Sequence, residues 1–376
     1  MTNFFSTQVY LDRIHRVQML AQEKGLSGLI IGSGAQLIYL TGSRISTHER
    51  LLALVIPAHG TPTLVLPAVD RGDIAKSPLA QLGFHIITWE DGENPHHIAI
   101  TALALSPTTT TPEIALGSEL SADHVLALMA LLPHASFSLA TSVLAELFIA
   151  KDSPEIADLR FAGEAIDRVH AQVPELLRAG RTEKEVAKDL EQLILREHKT
   201  VDFVIVGSAE NGANPHHDFS DRVLTVGDMV VVDIGGTTAL GYHSDCTRTY
   251  IVGGLESANP DALAMYEVLF QAQKEAVQAV RPGVTAHYID NVARQAITQA
   301  GYGEYFIHRT GHGIGLSTHE EPFIMAGNDL VLSPGMAFSI EPGIYIPHQY
   351  GARIEDIVVV TDTACELLNN QPRILR

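Results

Sequence analysis

The sequence predicts an α/β plus α+β protein of two successive domains: a layered α/β domain over residues 1–150 and an α+β domain over residues 151–376. Three observations carry this. Within the first 150 residues, short apolar runs alternate with helical spacing of apolar residues, the pattern of helices layered on a sheet. At Ala150-Lys-Asp-Ser-Pro-Glu-Ile a new helix starts. Ser153 or Asp152 serves as its cap, Pro154 fits the first helical position and Glu155 sits at the positive helix end. Beyond residue 200, strand-like apolar runs carry acidic residues at or near their ends.

In the first half, Leu11, Ile14, Val17 and Leu20 share one face of a helix that Gly25 stops. Strand-like runs follow at Gly28-Leu-Ile-Ile, Leu51-Leu-Ala-Leu-Val-Ile-Pro, Thr63-Leu-Val-Leu-Pro, Phe84-His-Ile-Ile-Thr-Trp and Glu113-Ile-Ala-Leu-Gly. Helical patterns near 93–105, 121–132 and 141–150 alternate with them, and Thr108-Thr-Thr-Thr-Pro reads as a loop inside the domain. Neither a G-x-G-x-x-G nor a Walker-type loop is present, so no nucleotide site is indicated. Two polar clusters, His48-Glu-Arg50 and His96-His97, read as solvated loops. The functional alternative for the first is a loop reaching an active site, its own or a neighbouring subunit's, where Arg50 meets a substrate carboxylate in bidentate fashion.

In the second half, Ile156, Leu159, Ala162 and Ile166 line one face of a helix over 154–172. Thr182 and Glu185 form a capping box for the next helix. A turn-rich loop, Asn211-Gly-Ala-Asn-Pro-His-His-Asp218, precedes two strands. The first is Met229-Val-Val-Val-Asp-Ile and the second Asp245-Cys-Thr-Arg-Thr-Tyr-Ile-Val, joined through the turn Gly235-Gly-Thr-Thr-Ala-Leu-Gly241. Asp233 and Asp245 are therefore expected to face each other across a hairpin. Glu341 closes Ala337-Phe-Ser-Ile-Glu, and Glu355 sits in Ala352-Arg-Ile-Glu-Asp-Ile-Val-Val-Val, a second pair of apolar strands. His312 lies in Thr310-Gly-His-Gly-Ile-Gly, too glycine-rich for a regular helix.

Carboxylates set in apolar strands are costly when unpaired, and four converging ones repel until some bind protons. Two divalent cations balance four carboxylates in full. With the His312 imidazole, Asp233, Asp245, Glu341 and Glu355 form a hard, oxygen-rich set suited to Mn²⁺, Co²⁺ or Fe²⁺, with Zn²⁺ also admitted.

A net charge of −19 argues against nucleic acid or an anionic membrane surface as a partner. Hydrophobic residues make up 46 % of the 376, which supports sizeable globular cores. The two cysteines, Cys246 and Cys365, suggest no disulfide framework. No signal-peptide pattern or membrane-length apolar run occurs, so the cytoplasm is the expected location.

The segments Val-Val-Asp-Ile-Gly-Gly…Ser-Asp-Cys-Thr-Arg-Thr, His308-Arg-Thr-Gly-His-Gly-Ile-Gly-Leu-Ser-Thr-His-Glu, Ser339-Ile-Glu-Pro-Gly-Ile-Tyr and Arg353-Ile-Glu-Asp resemble the motifs of the pita-bread metallopeptidases. Within that group the chain is similar to the Xaa-Pro peptidases, prolidase and aminopeptidase P. Ile38-Tyr-Leu-Thr-Gly42 and the Lys-x-Ser-x-Glu-Ile entry at Lys151 resemble segments of the same family. The resemblance implies a creatinase/prolidase-like first domain and a pita-bread (creatinase/aminopeptidase-like) catalytic domain. It also implies a homodimer and a proline-containing peptide as substrate.

Carried over residue by residue, the resemblance has Asp233 and Glu355 bridge or bind both metals. Asp245 holds one, and His312 with Glu341 holds the other. His216 joins the active site, with His217 less firmly placed; His319 contacts the substrate at the scissile amide. His308 supports the ligands from behind, and Arg353 pairs with metal-binding carboxylates. The chain departs from the family in one respect. From Asp233 to Asp245 is twelve positions, one more than the family interval. An extra residue in the turn costs little, whereas one in a strand would turn an Asp away; the intact flanks favour the turn.

The expected activity is hydrolysis of the Xaa-Pro bond in dipeptides, with an aminopeptidase P acting on longer peptides as the alternative. Glu341 is the candidate proton shuttle to the leaving nitrogen. A methionine aminopeptidase ranks lower because it lacks a leading domain of this length. A creatinase-like enzyme lacks the full ligand set, and a non-catalytic binding module would show eroded ligands.

Overall fold

The computed structural model describes residues 4–107 and 110–376. Thr108 and Thr109, part of the threonine run read as a loop, lie outside the described residues. The chain forms two compact units, Met1–Phe148 and Ile149–Arg376.

The first unit is built on a six-stranded sheet of β1 (Gly28–Ile31), β2 (Ala53–Pro57), β3 (Thr63–Pro67), β4 (His85–Trp89), β5 (Glu113–Leu116) and β6 (Ser136–Leu139), in the order β4-β3-β2-β1-β5-β6. The central strands are buried along their whole length, which is why they read as continuous apolar runs rather than alternating ones. Helices α1 (Thr7–Glu23), α2 (Ala35–Thr41), α3 (Pro95–Ala102), α4 (Ala122–Leu131) and α5 (Thr141–Phe148) complete the unit. In α1 the buried face is Tyr10, Arg13, Ile14, Val17 and Ala21, rotated from the predicted stripe so that Leu11 and Leu20 sit at its margin. Arg13 is the reason sequence alone misjudged this face. Its guanidinium lies 3.9 Å from the Tyr39 ring centroid and donates to the Tyr39 carbonyl at 2.9 Å, so a charged residue is satisfied on the inner side.

The second unit has two sheet-and-helix assemblies. Helices α6 (Ser153–His170), α7 (Val173–Leu176) and α8 (Glu183–Glu197) pack on the antiparallel sheet β7 (Thr200–Ser208), β8 (Met229–Thr237) and β9 (Cys246–Ile251). The predicted capping box of Thr182 with Glu185 forms on α8, and on α6 the cap is Asp152, one of the two candidates, which makes a second capping box with Glu155. Ile166, Val186, Leu190 and Val232 are among the residues of the shared core.

Helices α9 (Pro260–Ala279) and α10 (Ala286–Gln299) share a core with the second set of strands: β10 (Gly311–Gly313), β11 (Glu320–Ile324), β12 (Ala337–Ile340), β13 (Gly343–Ile346), β14 (Tyr350–Arg353), β15 (Asp356–Val360) and β16 (Cys365–Leu367). One register runs through β12/β15 and on through β13/β14: Ala337 pairs with Val359, Ile340 with Asp356, Gly343 with Arg353. The segments from 337 to 360 thus form one long hairpin, interrupted only where Glu341-Pro342 faces Ile354-Glu355.

Candidate metal centre

Asp233 lies in β8 opposite Thr247 of β9. Asp245 immediately precedes β9, two residues before Thr247, so alternation along the strand puts both on one face. The two aspartates are diagonal neighbours rather than the directly opposed pair that the hairpin pattern suggested. The same register holds from Asp233/Thr247 and Ile234/Cys246 to an isolated bridge at Thr237/His243. The turn therefore lies beyond Thr237 and is closed by the Thr238 N–H donating to Tyr242 O at 2.8 Å. Both aspartates stay buried on the site face.

Glu341 and Glu355 occupy the interruption of the long hairpin. They continue its register by one step from Ile340/Asp356, which sets the two side chains together. His312 is the middle residue of β10, between β11 and β12. Its flanking glycines are required by close approach: a Cβ at Gly311 would collide with the Ser339 carbonyl oxygen, and one at Gly313 with that of Glu321.

These elements converge. Asp233, Asp245 and Glu355 each offer an atom within 4.8 Å of the others, as do His312, Glu341 and Glu355, and Asp245, His312 and His319. Glu355 belongs to both carboxylate-containing groups of the predicted ligands. His312 Nδ1 lies 3.1 Å from the Gly313 carbonyl, leaving Nε2 toward Glu341 (3.1 Å) and Asp245 (3.7 Å).

The charge crowding is severe. Burial, with Asp233 beside it, pushes the Asp245 carboxyl well above its ordinary range. Burial and the Asp245 and Glu341 charges do the same to Glu355. For Glu341 burial works upward, but the His312 imidazole outweighs it and holds the acid at about 2. Burial works downward on His312, and Glu341 and Asp245 lift it to about 9. His319 is depressed to about 4 by burial and by the neighbouring His312.

The donor set fits cations on a separate ground. Asp233 Oδ2 accepts from Arg353 at 2.6 Å and Glu355 Oε2 from Thr247 Oγ1 at 2.8 Å. The other oxygen of each, Asp233 Oδ1 and Glu355 Oε1, is buried with no hydrogen bond among the described residues. A bare, buried carboxylate oxygen is strongly disfavoured unless a cation takes it.

Behind the ligands stands a second ring. Arg353 also donates to Tyr345 Oη at 2.8 Å and to Thr247 Oγ1 at 3.1 Å, and His308 Nε2 lies 2.9 Å from the same Tyr345 oxygen. Sequence reasoning placed His308 and Arg353 here but gave no role to Thr247 or Tyr345, although both fall inside the quoted motifs. Asp290 of α10 accepts from Thr310 N–H and Oγ1, which ties down the glycine-rich segment.

A cavity of about 740 Å³ opens onto the acidic cluster, with His216, His319, Arg309, Phe203 and Ile205 in its wall. His217 turns away: its Nε2 bonds Glu183 Oε2 at 2.9 Å, inside a network with Ser208, Asn211 and Ser220. Arg309 was not singled out from sequence. Its guanidinium lies 4.5 Å from the Phe323 ring centroid and 3.4 Å from His319 Nδ1, with no ion pair among the described residues. In the first unit, Arg50 makes a bidentate pair with Asp91 at 3.1 and 3.0 Å, and His96 bonds His124 at 3.1 Å.

The sequence matches two family models, the creatinase/prolidase N-terminal domain over residues 13–147 and metallopeptidase family M24 over residues 157–362. It is 50 % identical to the probable dipeptidase PepE of Mycobacterium tuberculosis over 98 % of this chain and 96 % of that one. It is 35 % identical to the Xaa-Pro dipeptidase of Lactobacillus helveticus over 93 % and 94 %. The crystal structure of dipeptidase PepE from Mycobacterium ulcerans superposes with a TM-score of 0.94 at 49 % identity, covering 99 % and 98 %. An acidic centre with bare buried oxygens, on a matching pita-bread scaffold, leads to one assignment: the chain belongs to metallopeptidase family M24.

Proposed function

We propose that this chain hydrolyses Xaa-Pro dipeptides at a site holding two divalent metal ions. Asp233 and Glu355 would contact both ions, Asp245 one, and His312 with Glu341 the other. The observation that carries the reading is the pair of buried carboxylate oxygens without hydrogen bonds, Asp233 Oδ1 and Glu355 Oε1, within a set of four acids and an imidazole. Ions bound there supply Lewis acidity, activating water and polarising the scissile carbonyl.

The chain's own residues do the rest. Glu341, held by Ser339 Oγ at 3.0 Å and beside His312, takes the proton of the attacking water and passes it to the leaving proline nitrogen. His319 and His216, in the cavity wall, donate hydrogen bonds to the oxygen on which negative charge develops. Arg353 and Thr247 each fix one carboxylate oxygen and leave the other for a cation. A bond to proline has no N–H, so its recognition rests on shape; Phe203 and Ile205 supply apolar wall for it.

Arg309 favours a dipeptidase over an aminopeptidase P. A guanidinium facing the cavity with no carboxylate partner among the described residues suits the free carboxylate that a dipeptide presents there. The full donor set weighs against a non-catalytic binding module. Manganese as the native ion, homodimeric assembly and a cytoplasmic location form part of the same proposal; the first follows from the hard oxygen donors. The test is hydrolysis of Ala-Pro against Ala-Pro-Ala with added Mn²⁺ and with chelator. Metal-dependent cleavage of the dipeptide by at least tenfold over the tripeptide is expected. Cleavage that persists after complete metal removal would overturn the reading, and preference for the tripeptide would move it to aminopeptidase P.

A further inference from the structure

His319 has little of its own to hold it. It is exposed as a residue, and among the described residues its imidazole has one long hydrogen-bond contact, 3.4 Å to Arg309, besides lying 3.9 Å from the His312 ring centroid. Its position is therefore inherited from the backbone that precedes it, residues 315–318. That backbone is gripped by the turn between the two aspartate-bearing strand segments.

His243, which closes the turn, donates its N–H to Gly315 O at 3.0 Å, and its Nε2 lies 3.2 Å from Leu316 O. Its Nδ1 lies 2.7 Å from Asp202 Oδ2 and 3.3 Å from Thr318 Oγ1. Asp202, on β7, is fixed in turn by Thr237 Oγ1 at 2.6 Å. The turn is itself anchored on α6, through Tyr242 Oη to Glu155 at 2.9 Å and Thr238 Oγ1 to Asp158 at 2.6 Å. At the far end of the same segment Glu320 pairs with buried Lys151 and accepts from Ser317 N–H at 3.3 Å.

We propose that the turn over residues 238–243 is a support for His319. In it His243, oriented by Asp202, is the positioning residue that acts through the segment 315–318. The inference rests on the catalytic role given to His319 above. A turn braced by a helix and a strand, and in contact through His243 with Gly315, Leu316 and Thr318, holds the adjacent imidazole at the placement that hydrogen bonding in the transition state demands. Neither His243 nor Asp202 belongs to the groups that could hold a metal, so the device governs geometry and leaves metal capacity alone.

The test is a double-mutant cycle on the metal-loaded protein, His243→Ala with His319→Ala, together with Asp202→Asn, which lies on another strand. His243→Ala is expected to lower kcat by about tenfold or more with KM within roughly threefold and both metal equivalents retained. In the His319→Ala background the same change is expected to cost less than about twofold, because coupled residues are not additive. Hydrogen exchange of the 315–319 amides is expected to quicken in His243→Ala and Asp202→Asn. Additive losses in the cycle would overturn the inference, and so would unchanged exchange of this segment. The exchange arm needs no substrate, so failure of the wild-type chain to cleave Xaa-Pro dipeptides would refute the proposed substrate and leave the clamp to be judged on exchange.

Discussion

Replacing Arg309 with alanine tests dipeptide selectivity. The guanidinium stacks on Phe323 at the cavity wall and has no carboxylate partner among the described residues, so its removal strands no buried acid and opens no core cavity. What is lost is one charge-assisted interaction with the substrate's free carboxylate. Such bonds contribute about 1.5–3 kcal/mol, and the partial exposure of Arg309 argues for the lower half of that range. Every 1.4 kcal/mol is tenfold, so kcat/KM for Ala-Pro should fall by roughly 10- to 50-fold. The informative comparison is Ala-Pro against Ala-Pro-amide. The amide has no charge for Arg309 to meet, so its already low kcat/KM should change by less than about threefold. The assay is initial-rate hydrolysis at saturating Mn²⁺, with metal content measured in parallel. An equal proportional loss on both substrates would refute the carboxylate role, since it would place Arg309 in the support of His319 instead.

Other perturbations reach different parts of the account. Glu341→Gln keeps the side-chain volume but removes the proton carrier, and kcat should fall by roughly 10²–10⁴-fold in a rate assay; a loss confined to KM would contradict it. Arg353→Met removes the donor that fixes Asp233 Oδ2 and should weaken metal affinity by about 10–100-fold in a metal titration, with an unchanged affinity counting against its supporting role. His170 is fully enclosed, with Nε2 2.8 Å from Cys246 O and Nδ1 3.0 Å from Tyr250 Oη, and burial depresses it to about 3. Its folded pKa lies below the unfolded value near 6.5, so its neutral form contributes stability above that pH, which is lost as pH falls toward 3. The unfolding free-energy advantage of wild type over His170→Gln should shrink by roughly 2 kcal/mol from pH 7 to pH 5 in chelator, measured by urea denaturation. An advantage that stays constant across that range would show that His170 does not titrate as the burial implies.

Much of the site was legible because its chemistry conflicts with its surroundings. Asp233, Asp245 and Glu355 stand out as acids in apolar strands, and the glycines around His312 signal a backbone pressed between neighbours. The helix caps near Asp152 and at Thr182 could be read because they are local, spanning four residues. What escaped depends on contacts far apart in sequence. Nothing near Asp202 announces that it meets His243, 41 residues on, and nothing near His217 announces Glu183. Tyr345 was quoted within a motif, yet its link between His308 and Arg353 appears only when the long hairpin folds onto the glycine-rich segment. The diagonal placement of Asp233 and Asp245 was missed because hairpin patterns give alternation but not register, and register here is fixed by the turn that follows Thr237. Arg309 was overlooked for a plainer reason: a charged residue beside a conspicuous histidine reads as solvent-facing unless its ring partner, Phe323, is known.

The central claim is that four carboxylates and one imidazole tolerate burial together by holding two divalent ions. Its most direct test is the metal content of the protein after equilibration with Mn²⁺ and removal of free ion, compared with Asp245→Asn and with dipeptide hydrolysis on the same samples. Two equivalents per chain in the wild type, fewer in the variant, and activity that tracks the second equivalent are predicted. Full activity with one ion or none would contradict it.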